Sequence, residues 1–202
     1  MLKLFFKNKK IVIFTTLSLL LVVIGYVTAT KANLNPNKQI GDIVDNFNGV
    51  NVYYNGGVGH VEGRNITTDG YNLGLKYQCV EFIKSYYYQR FQHKMPDSYG
   101  HAKSFFNPSI ASGTLNPQRN LMQFTNGTVK PQVEDILVFD STLTNRYGHV
   151  AIVSKVTENS IEIVQQNPGP FSSSRETILL KKANNGSWTI EKPNILGFLR
   201  RS

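Results

Sequence analysis

GHVAIVSKVTENSIEIVQQN, residues 148–167, is the stretch that decides the fold. It holds two runs enriched in Ile and Val, His149–Val156 and Ile161–Gln165, broken by the turn-forming Glu158-Asn159-Ser160. That pattern predicts a β-hairpin. With the turn centred on Asn159, antiparallel pairing sets His149 across from the end of the second strand, near Asn167. Gln165 and Asn167 are two apart, so a strand that stays extended puts both on one face. An imidazole and two side-chain amides are expected to cluster there.

Outward from the hairpin, Ile136–Phe139 and Ile195–Leu199 read as further strands, and Asn107–Val133 reads as a loop rich in Asn, Pro and Gly. Upstream the period changes. Val80, Ile83, Tyr87 and Phe91 recur at helical spacing with no Gly or Pro until Pro96, which predicts a helix of three to four turns opening at Gln78 or Cys79. A shorter helix is expected over Gly100–Phe106. Short strands and loops are expected between Ile43 and Asp69, where Gly and Asn are dense. Helices first and strands later imply an α+β fold, N-terminal helices packed on an antiparallel β-sheet.

Placement at a helix start gives Cys79 a chemical meaning, because the free N–H groups and dipole of the first turn favour negative charge. A stabilised thiolate is expected, one that iodoacetamide labels quickly near neutral pH. The hairpin supplies the base. A thiolate attacking a carbonyl, His149 passing the proton and an amide accepting the His149 Nδ1–H make a Cys–His–amide site in outline. Taken singly, each residue has a plainer reading: a small buried thiol, a strand-edge histidine, and amides on a surface or before the turn at Pro168.

Composition narrows the rest. The chain has 202 residues, 41% of them hydrophobic and 17% charged, enough to build a core in one domain or slightly more and too apolar for disorder. One cysteine rules out a disulfide scaffold, and His60, His93, His101 and His149 are too scattered to suggest zinc. Asp69 is the only acid just before Cys79, so no calcium site is expected, and no cofactor. The net charge is +9, but Lys3, Lys7, Lys9, Lys10 and Lys31 contribute five of the 22 basic residues and no acid stands among them. The body is therefore only mildly basic, which argues against nucleic acid as partner and suits an anionic surface or polymer.

Ile11–Ala29 is a 19-residue uncharged run behind that lysine cluster. It is long enough to cross a bilayer as a helix, with the N-terminus kept in the cytoplasm and the remainder exported. Residues 1–30 are expected to be an uncleaved anchor in preference to a signal peptide cut after Val27-Thr28-Ala29. Residues 31–42 follow as a linker, and 43–202 as the folded domain.

The flanking words then resemble a known family. Gly74-Leu75-Lys76-Tyr77-Gln78-Cys79-Val80-Glu81-Phe82 is similar to the nucleophile motif of CHAP domains, the cysteine, histidine-dependent amidohydrolases/peptidases. Gly148–Val153 resembles the histidine strand of that family and Ile163–Asn167 its third-residue strand, with a pattern nearest the amidase domain of glutathionylspermidine synthetase/amidase. Glu134–Asp140 and Ile195–Phe198 also have counterparts. The resemblance implies a papain-like fold, hydrolysis of amide bonds, commonly in peptidoglycan, with Cys79 as nucleophile and His149 as base. One position departs: those amidases usually have Glu where Gln165 stands, whereas Asn167 matches. Tyr71, Tyr77 and Gln78, in the loop ahead of the nucleophile, are expected to line a substrate groove. The expectation is a monomeric, membrane-tethered enzyme cleaving cell-wall peptide outside the cytoplasm, or secreted if the leader is cut. A small-molecule amidase and a silent, wall-binding module are the alternatives.

Overall fold

The structure is a computed structural model and describes residues 2–202. Met1, and the side chains of the leader lysines Lys3, Lys7 and Lys10, lie outside what it describes. Helix α1 runs Leu2–Lys31, and within it Ile11–Lys31 is apolar, unburied and long enough to cross a membrane. Four short strands follow, β1 (Ile43–Phe47), β2 (Val50–Tyr53), β3 (Arg64–Ile66) and β4 (Asn72–Leu75), paired antiparallel as β1–β2 and β3–β4. Helix α2 spans Cys79–Phe91, opening where the helical period begins and ending at Gln92, which takes the left-handed conformation.

The main sheet has eight strands in the order β11-β10-β9-β8-β7-β12-β6-β5. They are β5 (Thr114–Asn116), β6 (Leu121–Thr125), β7 (Ile136–Phe139), β8 (His149–Val156), β9 (Ser160–Val164), β10 (Arg175–Lys182), β11 (Trp188–Ile190) and β12 (Ile195–Arg200). All neighbouring pairs are antiparallel. The fold is thus α+β, as the element order implied.

Strand alternation explains how the sheet is covered. Ile136, Val138, Val150 and Ile152 face Phe82, Ile83, Tyr86 and Tyr87 of α2 in one core. Their neighbours Leu137, Ala151 and Val153 turn the other way, into a second core with Ile163, Ile178, Leu180 and Phe198. Successive residues of β7 and β8 are buried on both faces, which is why these strands read as unbroken apolar runs.

Three details differ from expectation. Gly100–Phe106 condenses into one 3-10 turn, Ala102–Phe105. The stretch 107–133 contains β5 and β6, and residues 175–190 supply β10 and β11 at the sheet's far edge. Solvent-facing polar residues hid them, and β5 and β11 are only three residues long. Residues 32–42 lie on the domain: the Tyr54 hydroxyl donates to Asn33 Oδ1 (2.8 Å), Asn35 Nδ2 to the Pro170 carbonyl (2.9 Å), and the Gly41 amide to the Tyr54 carbonyl (2.9 Å).

Candidate active site

Cys79 is the first residue of α2, and the packing of α2 on β8 delivers it to the start of that strand. The N–H groups of Cys79 and Val80 in the first helical turn and of Val150 in β8 lie on the side of its thiol and favour the charged form. His149 is the residue immediately before Val150, so thiol and imidazole both stand where helix and strand begin.

The His149 Nε2–H donates to Gln165 Oε1 across 2.9 Å. Gln165 is itself fixed, its backbone N–H on the Ser174 carbonyl (2.9 Å) and its Nε2 reaching the Ser173 carbonyl (3.5 Å). An oxygen facing Nε2 requires the proton on that nitrogen and leaves Nδ1 a lone pair. The amide thus takes the Nε2–H and not the Nδ1–H expected from sequence. Phe139, opposite His149 in the β7–β8 ladder, leans against the ring at 5.8 Å.

Burial decides the electrostatics. Cys79 keeps 9% exposure, and desolvation outweighs its three N–H donors, pushing the thiol up to about 11. Desolvation likewise holds His149 down to about 4, against the Gln165 hydrogen bond that favours the charged ring. Lys192 disfavours that charge as well, and Glu176, ion-paired with Lys192, favours it. Neutral thiol beside neutral imidazole is therefore the resting pair. The helix start alone led to the opposite expectation, a standing thiolate; its pull, typically below ~2 kcal/mol, is smaller than the cost of desolvating an ion.

The two amides part company. β9 ends at Val164, and Asn167 adopts a left-handed backbone (φ 59°), so the extended geometry that would put it beside Gln165 stops short. Asn167 Nδ2 instead donates to the Val58 carbonyl and to Gln78 Oε1, both at 2.9 Å. Gln78 Nε2 in turn donates to the His60 carbonyl (2.6 Å), so Gln78 and Asn167 together clamp the loop 55–60 beside the start of α2. Tyr77, also left-handed (φ 65°), packs its ring on Tyr53 at 5.5 Å. Tyr71 is elsewhere: its hydroxyl accepts the Met95 N–H and its ring stacks on Tyr88, propping the outer face of α2.

Sequence reading passed over Gln166 and Glu81. Gln166 is fully buried; its Nε2 donates to the Gln78 carbonyl (3.0 Å) and Glu81 Oε2 (2.8 Å), while its Oε1 accepts the Tyr53 N–H (2.7 Å). It joins β2, the end of β9 and the first turn of α2, fixing where Cys79 sits. The signal was present: between two residues of one strand face stands one that must point the other way, toward α2. A cleft lined by Tyr53, Asn55, Gln165, Asn167 and Ser172–Ser174, with Lys38 among its walls, reaches the site at Gln165, the partner of His149; His149 and Cys79 do not line it.

Comparison with protein families matches this region. Residues 68–167 match the CHAP domain. The match takes in Cys79, His149, Gln165 and Asn167. The chain is also 26% identical over 125 residues to trypanothione synthetase of Crithidia fasciculata, across 60% of this chain and 19% of that protein. The chain therefore spans less than a fifth of that relative's length. A CHAP domain implies amidase or peptidase chemistry, and the match to a synthetase of this kind agrees with the glutathionylspermidine synthetase/amidase pattern read in the sequence.

Proposed function

We propose that the protein is a membrane-anchored cysteine amidohydrolase that cleaves peptide amide bonds of cell-wall peptidoglycan outside the cytoplasm. The observation that carries the chemistry is the imidazole whose Nε2 is held by Gln165, one residue before Val150, which packs in one core with Cys79. Because both groups rest neutral, His149 Nδ1 takes the thiol proton as sulfur attacks the carbonyl carbon. The oxyanion forms against backbone N–H groups at the start of α2. Nδ1 then gives the proton to the departing amine nitrogen as the C–N bond breaks, leaving a thioester. Water, deprotonated by the same nitrogen, attacks the thioester; the C–S bond breaks, the acid leaves, and the sulfur takes the proton back from Nδ1. Gln165 keeps the ring in the reactive tautomer throughout.

Export and wall substrate rest on α1 and its lysine-rich front. The test is mass spectrometry of fragments released from purified peptidoglycan by the detergent-solubilised full chain, with Cys79→Ser as control. Released peptides bearing new amine and carboxyl ends are expected, and none from the control; intact peptidoglycan would overturn the reading. The relationship to trypanothione synthetase favours a second substrate, a polyamine–peptide conjugate, and cleavage of such conjugates with peptidoglycan untouched would select it. Inertness toward both would leave a CHAP-like binding module, for which the neutral Gln165 and buried thiol are the motive.

A further inference from the structure

Helix α1 does not end on a free tether. The carbonyl of Thr30, one of those a helix end leaves without a partner, accepts the Gly59 N–H at 2.8 Å, and the Lys31 ammonium donates to the Gly59 carbonyl. Gly57 sets the closeness of the fit: a Cβ there would stand 2.5 Å from the Thr30 carbonyl oxygen and 2.9 Å from that of Ala32. Its φ is not in the left-handed region, so approach, not backbone conformation, calls for glycine. Arg146, in the loop before β8, stands within electrostatic reach of the Tyr26 hydroxyl. Of the two loops that border the site, 55–60 is therefore bonded to the helix end, and 140–148 faces it through Arg146.

Those loops carry the exposed apolar side chains of this face. Val58 (43% exposed) and Val61 are on one, Leu143 (107%) and Tyr147 on the other, and Phe171 (70%) follows Pro170, whose carbonyl holds Asn35. The same segments carry the cations Lys31, Lys38 and Arg146; of the acids there, Glu62 pairs with His60, and Asp140 and Asp42 accept the N–H groups of Ser141 and Gln39. The uncharged run of α1 ends at Ala29, and a helix rises about 1.5 Å per residue, so Thr30 sits at headgroup depth when α1 spans. A loop bonded to Thr30 is at that depth too.

We propose that the partner of this face is the bilayer from which α1 emerges. Leu143, Val58 and Phe171 enter the interfacial layer, the cations meet anionic headgroups, and the active site takes peptide held at the membrane surface. This rests on the anchor reading above, and the test separates the two. The full chain, carrying Cys79→Ser and Leu143→Cys labelled with an environment-sensitive fluorophore, is placed in vesicles of mixed phosphatidylglycerol and phosphatidylcholine. The label is expected to be shielded from aqueous iodide at least fivefold relative to one at Asn185→Cys, in the turn between β10 and β11, and to be quenched by headgroup-level lipid quenchers. Adding Gly57→Val should abolish the shielding by displacing the helix end. Leu143→Glu, in the otherwise native chain, should slow cleavage of a vesicle-tethered peptide at least tenfold while cleavage of the same peptide in solution stays unchanged. Equal iodide access at 143 and 185 with α1 intact overturns the docked face and leaves the anchor standing; a purified mature chain lacking residues 1–29 overturns the anchor itself.

Discussion

The two walls of the site, one of sheet and one of loop, are built on different principles. On the sheet side, His149 and Gln165 are placed by ladder pairs, Phe139 against His149 and Ile152 against Val164, with buried Ile and Val on both faces behind them. On the loop side, residues 55–60 and 167 are held by the amides of Asn55, Gln78 and Asn167, and the Oδ1 atoms of Asn55 and Asn167 are buried with no partner among the described residues. In the mechanism proposed above, the sheet wall fixes proton transfer, where a fraction of an ångström matters, while the loop wall is the half that can yield to a substrate. Removing the reacting sulfur should break this division most severely. Cys79→Ser is expected to lower kcat/KM by about a thousandfold or more, with an unchanged melting temperature, measured on a peptide substrate.

The state of that sulfur gives the next largest effect. With the thiol near 11, the thiolate fraction at pH 7 is about one-hundredth that of an ordinary cysteine. Alkylation of this lone cysteine by iodoacetamide should be about a hundredfold slower than that of free cysteine and climb tenfold per pH unit until about 11. Rapid alkylation at pH 7 would mean that the pair rests as thiolate and imidazolium. The same environment sets the acid limb. His149 acts as base only when neutral, so kcat/KM should hold from neutral pH down and fall through about 4. Stability follows the same sign: an unfolded His binds a proton near 6.5 and the folded one near 4, so between them the unfolded chain takes up more protons and the fold weakens as pH drops. A melting temperature flat from pH 7 to 4 would contradict the burial of this ring.

Gln165 is the sheet wall's contact with the ring, and its loss should cost about tenfold in kcat, the size of losing one neutral hydrogen bond that sets a tautomer. Gln165→Ala is expected to leave KM nearly constant. Gln165→Glu sharpens the point, since a carboxylate at Oε1 favours the imidazolium and should move the acid limb of kcat/KM upward, toward the ordinary histidine range. An unmoved limb would place the ring's partner elsewhere.

How far each wall was legible follows from the forces that build it. β7, β8, β9, β12 and α2 were readable because apolar period and turn residues are local properties of the chain, and the hairpin register brought His149 to Gln165. Asn167 was misplaced because strand period says nothing about where a strand stops, and Pro168 with a left-handed Asn167 ends this one early. The roles of Gln166 and Gln78 depend on partners about 90 residues away, and a thiol's burial depends on everything packed round it; neither is a pattern in a window of sequence.

Asn167 provides the smallest and most discriminating effect. Its Nδ2 ties Val58 and Gln78, two hydrogen bonds of about 1 kcal/mol each at most, and nothing of it meets the ring. Asn167→Ala also places a Cβ-only residue at a left-handed φ that asparagine tolerates better. The loop should loosen, raising KM about two- to fivefold while kcat and the acid limb of the pH profile stay within a factor of two. Asn167→Gly, which removes the same bonds but accepts the backbone, separates lost clamping from strain: an equal rise in KM assigns the effect to the clamp. A tenfold fall in kcat or a displaced acid limb in either variant would instead place Asn167 on His149 during turnover, and the loop wall would then share in proton transfer.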